Sequence, residues 1–126
     1  MKYNDLTRRY FEQPTACGVL SGPGTFRGAA GSRAHGTWVQ FDVQTAGEAR
    51  VIEAACFLAF GCPHVIAVAA WLAEQAVGRR VEPSVPESVH ALRARFDAPV
   101  EKLGRLLIVE DAWIAAMRAA LLATVP

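Results

Sequence analysis

The chain has 126 residues, 52% of them apolar, which is enough to build one hydrophobic core of ordinary domain size. Thirteen Lys and Arg residues against twelve Asp and Glu residues leave a net charge of +1, so the chain carries no strong field for attracting nucleic acid or an anionic membrane. We therefore predict a single domain over residues 1–126 that binds neither nucleic acid nor a membrane.

The beginning of the chain and its cysteine content indicate the compartment. Residues 1–13 carry charges throughout and contain no apolar stretch of the roughly 7–15 residues found in secretory signals. The longest apolar run, residues 65–73, is much shorter than the roughly 20 residues needed to cross a bilayer. Three cysteines, an odd number without the density of a disulfide-stapled fold, are typical of a reducing compartment. We predict a cytoplasmic protein.

The first elements in chain order are a short helix and a long loop. Asn4 can cap a helix that Pro14 ends. Residues 17–36 contain six glycines and a proline, a composition that favours loops. We expect at most a short, irregular strand near residues 25–30.

Alternating apolar and polar residues then predict a pair of antiparallel strands. The alternation gives a strand over 38–45, with three apolar side chains on one face: Val39, Phe41 and Val43. Residues 46–48 have the composition of a hairpin turn that leads into a second strand over 51–60.

The second half of the chain predicts three helices. A proline in the first turn indicates a helix over 63–77. A capping-box pattern, Ser84 with Glu87, opens the next, and Pro99 separates it from a last helix that runs to residue 124. The apolar face predicted for that last helix consists of Leu103, Leu106, Leu107, Ile114, Met117 and Leu121. This order predicts an α+β fold, a small antiparallel sheet covered on one face by helices.

Cys62 is the candidate for chemistry, because it lies at the turn from the second strand into a helix, in the sequence Phe-Gly-Cys-Pro-His. A helix N-terminus stabilises a thiolate, which can bind metal or sulfur. The alternative interpretation is an inert, buried cysteine that only fills space.

Two histidines are candidate partners of this cysteine. His35 lies in a loop before the first predicted strand, where it could be a metal ligand or base, or a solvated surface residue. His64 follows Cys62 by two residues and could reach the same ion, or could point outward from the helix.

The chain resembles the IscU/NifU-type iron–sulfur cluster assembly scaffolds over nearly its whole length. The segments that carry this resemblance, in the same order, are Tyr10–Pro14, Gly31–Thr37, Ile52–Phe57, Phe60–Cys62, Ala67–Gly78 and Glu110–Ala112. The resemblance implies the α+β fold of those proteins, a scaffold rather than an enzyme, and a cysteine desulfurase as partner. Residues 98–102 match the family's chaperone-recognition segment only loosely, so chaperone docking receives little support.

The resemblance also assigns ligand positions, most of which are altered here. The family holds zinc or a nascent [2Fe-2S] cluster through three cysteines, with an aspartate and a histidine able to contribute. Cys62 stands at the second cysteine position, His35 at the first, and Thr37 at the aspartate. Gly104 stands where the family has the histidine, and Arg105 where it has the third cysteine.

Three outcomes follow for this reduced ligand set. A [2Fe-2S] cluster normally takes four ligands, and one cysteine and one histidine are too few to hold it. Zinc could be held by His35, Cys62 and His64 with a water molecule. Alternatively, the Arg105 guanidinium could supply the positive charge of the missing metal and pair with a Cys62 thiolate.

Three functions remain open for the chain. The first is a scaffold-like protein in iron–sulfur cluster assembly, which binds a metal ion, a nascent cluster or a persulfide. The second is a metal-free interaction or regulatory module that binds a desulfurase. A third is an enzyme with Cys62 as nucleophile, activated by His35 or His64.

Overall fold

The computed structural model describes residues 3–46 and 50–123. Within these residues the elements, in chain order, are α1 (Asp5–Glu12), β1 (Thr25–Ser32), β2 (Thr37–Thr45), β3 (Ile52–Phe60), α2 (Pro63–Ala76), α3 (Val89–Arg95) and α4 (Leu103–Ala123). A single 3-10 turn, Val100–Lys102, leads into α4. The predicted α+β fold with a small antiparallel sheet is confirmed. No helix in the described ranges is both long and apolar enough to cross a membrane.

The sheet has the order β1-β2-β3, and both neighbouring pairs are antiparallel. The predicted strands over 38–45 and 51–60 are confirmed as β2 and β3, and the predicted helix over 63–77 as α2. The predicted turn at 46–48 lies largely outside the described residues. The last helix is described as far as Ala123, so its predicted end at residue 124 is also outside them.

Strand β1 is longer and more regular than the short, irregular strand expected near residues 25–30. It is a regular strand of eight residues, paired with β2 from Thr25 to Ser32. Its glycines have another cause, because α4 lies directly on the strand: a Cβ atom at Gly28 would be 2.0 Å from the backbone nitrogen of Ala116. Gly28 therefore reflects a close approach of helix and strand.

The hydrophobic core lies between the sheet and the helices. Val39, Phe41 and Val43 are fully buried on one face of β2, as their alternation predicts. Helix α4 packs over β1 and β2, while α2 packs over β3 and α1 packs on α2. The rings of Phe41 and Trp113 meet edge to face, with centroids 5.2 Å apart.

The buried face of α4 differs from the predicted one. Leu106 and Met117 are buried as expected, but Leu107 is 47% exposed. The remaining buried positions of α4 are Val109, Ala112, Trp113, Ala116 and Ala120. The buried stripe therefore mixes large side chains with alanines, and Ala116 is the one that lies against Gly28 of β1.

Helix α3 begins later than its predicted capping box. Ser88 is the N-cap, and its hydroxyl accepts a hydrogen bond from the Ala91 N–H at 3.2 Å. The carbonyl of Ser84 instead accepts a hydrogen bond from the Trp113 indole, and Glu87 pairs with Arg95. Pro86 keeps the residue before it out of the helical region, which moves the helix start downstream.

A buried carboxylate on the other face of the sheet holds the segment before β1. Asp42 is 1% exposed and accepts two hydrogen bonds from Arg27, at 2.8 and 3.0 Å. The backbone N–H of Leu20 donates to the same carboxylate at 2.9 Å. Residues 16–18 pair with the edge of β3 at Phe57. The chain from there to β1 therefore crosses the sheet, and its hydrogen bond to Asp42 holds it at β2, the middle strand.

Replacing Asp42 with Asn should lower the free energy of unfolding by about 2 kcal/mol at neutral pH, since hydrogen bonds to a charged group are lost. Burial alone would raise the pKa of Asp42, but the hydrogen bonds from Arg27 and Leu20 outweigh it and the pKa is lowered. The stabilisation is therefore present above the carboxyl's unfolded pKa and is lost as pH falls through the folded one. Urea unfolding across pH measures this.

The exposed carboxylate of Asp111 provides the control. Asp111→Asn should leave stability nearly unchanged at every pH. A gap between wild type and Asp42→Asn that stays constant down to strongly acidic pH would contradict the role assigned to the Asp42 carboxylate.

Candidate thiolate site

Cys62 is the N-cap residue of α2, directly after Gly61 at the end of β3. Pro63 occupies the first helical position, where its missing N–H costs no hydrogen bond. The Cys62 side chain is half-buried, so its sulfur is neither sealed in the core nor freely solvated. The predicted place of this thiol at a strand-to-helix turn is confirmed.

Several donors and charges act on the Cys62 sulfur. Burial by itself would raise the pKa of the thiol, but the backbone N–H of Val65 and the side chains of Arg105 and Lys102 outweigh it. The pKa of Cys62 is therefore lowered from its ordinary value, which increases the thiolate fraction near neutral pH. Hydrogen bonding by the Val65 N–H and the Arg105 guanidinium lowers the pKa most, and the charge of Lys102 adds to it.

The two cationic side chains come from one short stretch of chain. Lys102 ends the 3-10 turn and Arg105 lies in the first turn of α4. They are three residues apart, and both act to lower the pKa of the Cys62 thiol. The hypothesis that Arg105 lies beside Cys62 is supported by this arrangement. Lys102 was missed by sequence analysis, and its spacing from Arg105 was the available signal.

His64 points into the protein rather than outward. Its side chain is 1% exposed, and both ring nitrogens lack a hydrogen-bond partner in the described part of the chain. The ring of Tyr3 packs against it edge to face, with centroids 4.9 Å apart. Burial, and next the charge of Lys102, lower the pKa of His64, while Asp97 raises it. The imidazole is therefore neutral at neutral pH.

His35 lies in the exposed turn between β1 and β2. Its Nδ1 atom is 2.6 Å from the Ser32 hydroxyl, and its backbone N–H donates to the same oxygen. The turn lies next to the Cys62 loop, because a Cβ atom at Gly61 would be 3.7 Å from the Gly36 carbonyl oxygen. Neither His35 nor His64 hydrogen-bonds Cys62, so the contacts that favour its thiolate come from the Val65 N–H and two cationic side chains and not from imidazole.

The other altered ligand positions supply no donors at the surface of the site. Thr37 is the first residue of β2 and is 3% exposed. Gly104 is exposed, and a Cβ atom there would meet nothing within 4 Å. The resemblance places an aspartate at the position of Thr37 and a histidine at that of Gly104, and here the space at Gly104, beside Arg105, is open.

This set of residues is a poor fit for a metal ion. No group of three or more His, Cys, Asp or Glu side chains among residues 3–46 and 50–123 could hold one. His35, Cys62 and His64 are thus not gathered into one ligand set. The cations Lys102 and Arg105 act on the only thiol of the site, and their charge opposes a divalent cation there. The arrangement instead suits an anionic sulfur atom.

Comparisons with known proteins agree with the fold. A family model described as NifU-like N terminal domain matches residues 2–119. The structure is similar to that of a nitrogen-fixing NifU-like protein (N-terminal) from Brucella abortus, at 16% identity and a TM-score of 0.71, covering 94% of this chain and 93% of that chain. It is also similar to a protein from Fervidobacterium islandicum AW-1 assigned as an iron–sulfur cluster assembly scaffold for the SUF system. That similarity has 11% identity and a TM-score of 0.64, covering 94% and 96% of the two chains. No curated protein matches the sequence significantly.

Proposed function

We propose, since the chain belongs to the family of NifU-like N-terminal domains, that it serves iron–sulfur cluster assembly as a scaffold-like protein whose Cys62 accepts sulfur. One observation carries the proposal: Cys62 is a half-buried thiol at the N-terminus of α2, and Arg105 and Lys102 favour its thiolate. The printed assignment of the Fervidobacterium relative as a cluster assembly scaffold supports the same role. The protein receives sulfur in this proposal and is not itself an enzyme.

The chemistry is the transfer of one sulfur atom between two cysteines. The Cys62 thiolate attacks the terminal sulfur of a persulfide carried by a cysteine desulfurase. A new sulfur–sulfur bond forms on Cys62, the donor's own bond breaks, and the donor cysteine leaves as a thiolate. Cys62 then carries a persulfide, and the positive charges of Arg105 and Lys102 stabilise its anionic form.

Exposed apolar side chains close to the site favour a protein as the sulfur donor. Phe60, Val100 and Leu107 are 49%, 66% and 47% exposed. Each lies two residues from a member of the site in sequence: Phe60 precedes Cys62, Val100 precedes Lys102, and Leu107 follows Arg105. Large apolar side chains around a polar centre are typical of protein interfaces. The same surface would serve the second candidate function, a module that binds a desulfurase without accepting its sulfur.

Sulfur transfer can be measured by incubating the protein with a cysteine desulfurase and L-cysteine and analysing its peptides by mass spectrometry. We expect the Cys62 peptide to gain the mass of one sulfur atom, and a reductant to remove it. Cys62→Ser should abolish the gain, whereas Cys17→Ser, which removes an exposed thiol elsewhere, should leave it unchanged.

The alternatives give different results. A stable complex with the desulfurase but no sulfur on Cys62 would support the interaction module and reject sulfur acceptance. Sulfur on Cys17 and not on Cys62 would show that the reactive thiol is not the one at α2.

A further inference from the structure

We propose that a cavity between residues 79–86 and α4 binds a small carboxylate whose body is a single ring or a short apolar chain. The cavity has a volume of about 140 Å³ and is lined by charged side chains at its rim and apolar side chains at its floor. The inference goes beyond the proposed function and does not depend on it, since the lining residues are separate from those around Cys62.

The floor of the cavity is apolar and reaches the hydrophobic core. Trp113 and Met117 form it, and each is only 1% exposed. The indole N–H of Trp113 already donates to the Ser84 carbonyl at 3.2 Å, so the ring offers a ligand its apolar surface. An apolar cavity of about 150 Å³ in a protein core can hold benzene, so a single ring fits here.

The rim of the cavity has an excess of positive charge. It carries the guanidinium groups of Arg79 and Arg80 and one carboxylate, that of Glu82. Neither arginine forms an ion pair within the part of the chain that the structure describes. A guanidinium binds a carboxylate through two parallel hydrogen bonds, which are stronger than bonds between neutral groups. The rim therefore favours an anionic head group over a neutral one.

The segment that carries the rim is fixed to the rest of the fold. The Arg79 carbonyl accepts a hydrogen bond from the Ile52 N–H at 2.8 Å. The Val81 N–H donates to the Arg50 carbonyl, also at 2.8 Å. The Arg79 side chain is held as well, because its Nε atom donates to the Gln75 carbonyl at 3.2 Å. The cavity is therefore formed before a ligand arrives, and binding requires little ordering of the chain.

Titration with benzoate tests the proposal, with the indole N–H signal of Trp113 followed in proton–nitrogen correlation NMR spectra. We expect a saturable shift of this signal with a Kd of about 1 mM or tighter. Benzamide has the same ring without the charge, and acetate has the charge without the ring. Each should bind at least about 10-fold more weakly than benzoate.

The double variant Arg79→Gln/Arg80→Gln removes both positive charges of the rim. It should bind benzoate at least about 10-fold more weakly than wild type and benzamide equally well. Both side chains are exposed, so the variant should keep the fold. The matched control is Arg8→Gln/Arg9→Gln, which removes two consecutive exposed arginines from α1 and should keep the wild-type affinity for benzoate.

Several results would overturn the proposal. The absence of a saturable shift at about 20 mM benzoate would show that the cavity does not take this class of ligand. Benzamide that binds as tightly as benzoate, or a rim variant that keeps the wild-type affinity, would show that the arginines do not select an anion. Acetate that binds as tightly as benzoate would show that the apolar floor contributes nothing.

Discussion

Removing the charges of Lys102 and Arg105 should slow the alkylation of Cys62 by iodoacetamide about 10-fold at pH 7, because nearby cations favour the reactive thiolate. The double variant Lys102→Met/Arg105→Leu replaces both cations with uncharged side chains. The pKa of Cys62 is lowered in the wild type, so the variant should have less thiolate at neutral pH. At strongly alkaline pH the Cys62 thiol is fully ionised in both proteins, and the difference in alkylation rate should disappear.

Peptide-resolved mass spectrometry measures the reaction of each cysteine in the same sample. Exposed Cys17 serves as an internal control, and Arg118→Leu as a charge control on the same helix. Basic residues oppose the dipole at a helix N-terminus, so removing them should not weaken the fold, and slower alkylation would not reflect unfolding. A ratio of rates that is the same at all pH values would contradict a charge effect on Cys62.

Replacing Gly28 with Ala should lower the free energy of unfolding by about 3 kcal/mol or more, through overpacking. The added Cβ atom would lie 2.0 Å from the nitrogen of Ala116 and 2.5 Å from the carbonyl carbon of Ala115. Both neighbours are backbone atoms of α4, so no side-chain rotation relieves the clash and the helix has to move off β1. Domains of this size have free energies of unfolding of only about 5–15 kcal/mol, so the substitution removes a large part of the stability.

Urea unfolding followed by tryptophan fluorescence measures this loss. Gly104→Ala is the matched control, since a Cβ atom there meets nothing within 4 Å and the residue lies in the first turn of α4. Alanine is the better helix former, so the control should gain up to about 1 kcal/mol. Equal stabilities for Gly28→Ala and wild type would show that α4 does not need to lie directly on the strand.

The elements that depend on local pattern were predictable from sequence. Strands β2 and β3 follow from apolar alternation, and α2 follows from Pro63 at its first position. Strand β1 was expected only as a short, irregular strand, because glycine-rich composition looks the same in a loop and beneath a closely packed helix. The difference lies in Ala116, which is 88 residues away from Gly28 in the chain.

The candidate site shows the same limit. The place of Cys62 at a helix beginning is local, and the resemblance to cluster assembly scaffolds pointed to Arg105 at a ligand position. The spacing of Lys102 from Arg105 was a local signal, but the burial of His64 depends on how the beginning of the chain packs on α2, which no local pattern encodes. Long-range contacts thus decided which charged and polar side chains surround the thiol.

The contact at Gly28 has a consequence for the other end of α4. Arg105 precedes Ala116 by eleven residues, about 16 Å along the helix axis, and a helix turned by one residue rotates its side chains by about 100°. A close fit between Gly28 and the backbone of α4 therefore sets the direction in which Arg105 points. The contact at Gly28 fixes the position and rotation of α4. Residues near its N-terminus can therefore be substituted, which changes the side chains beside Cys62, without changing how α4 packs on β1.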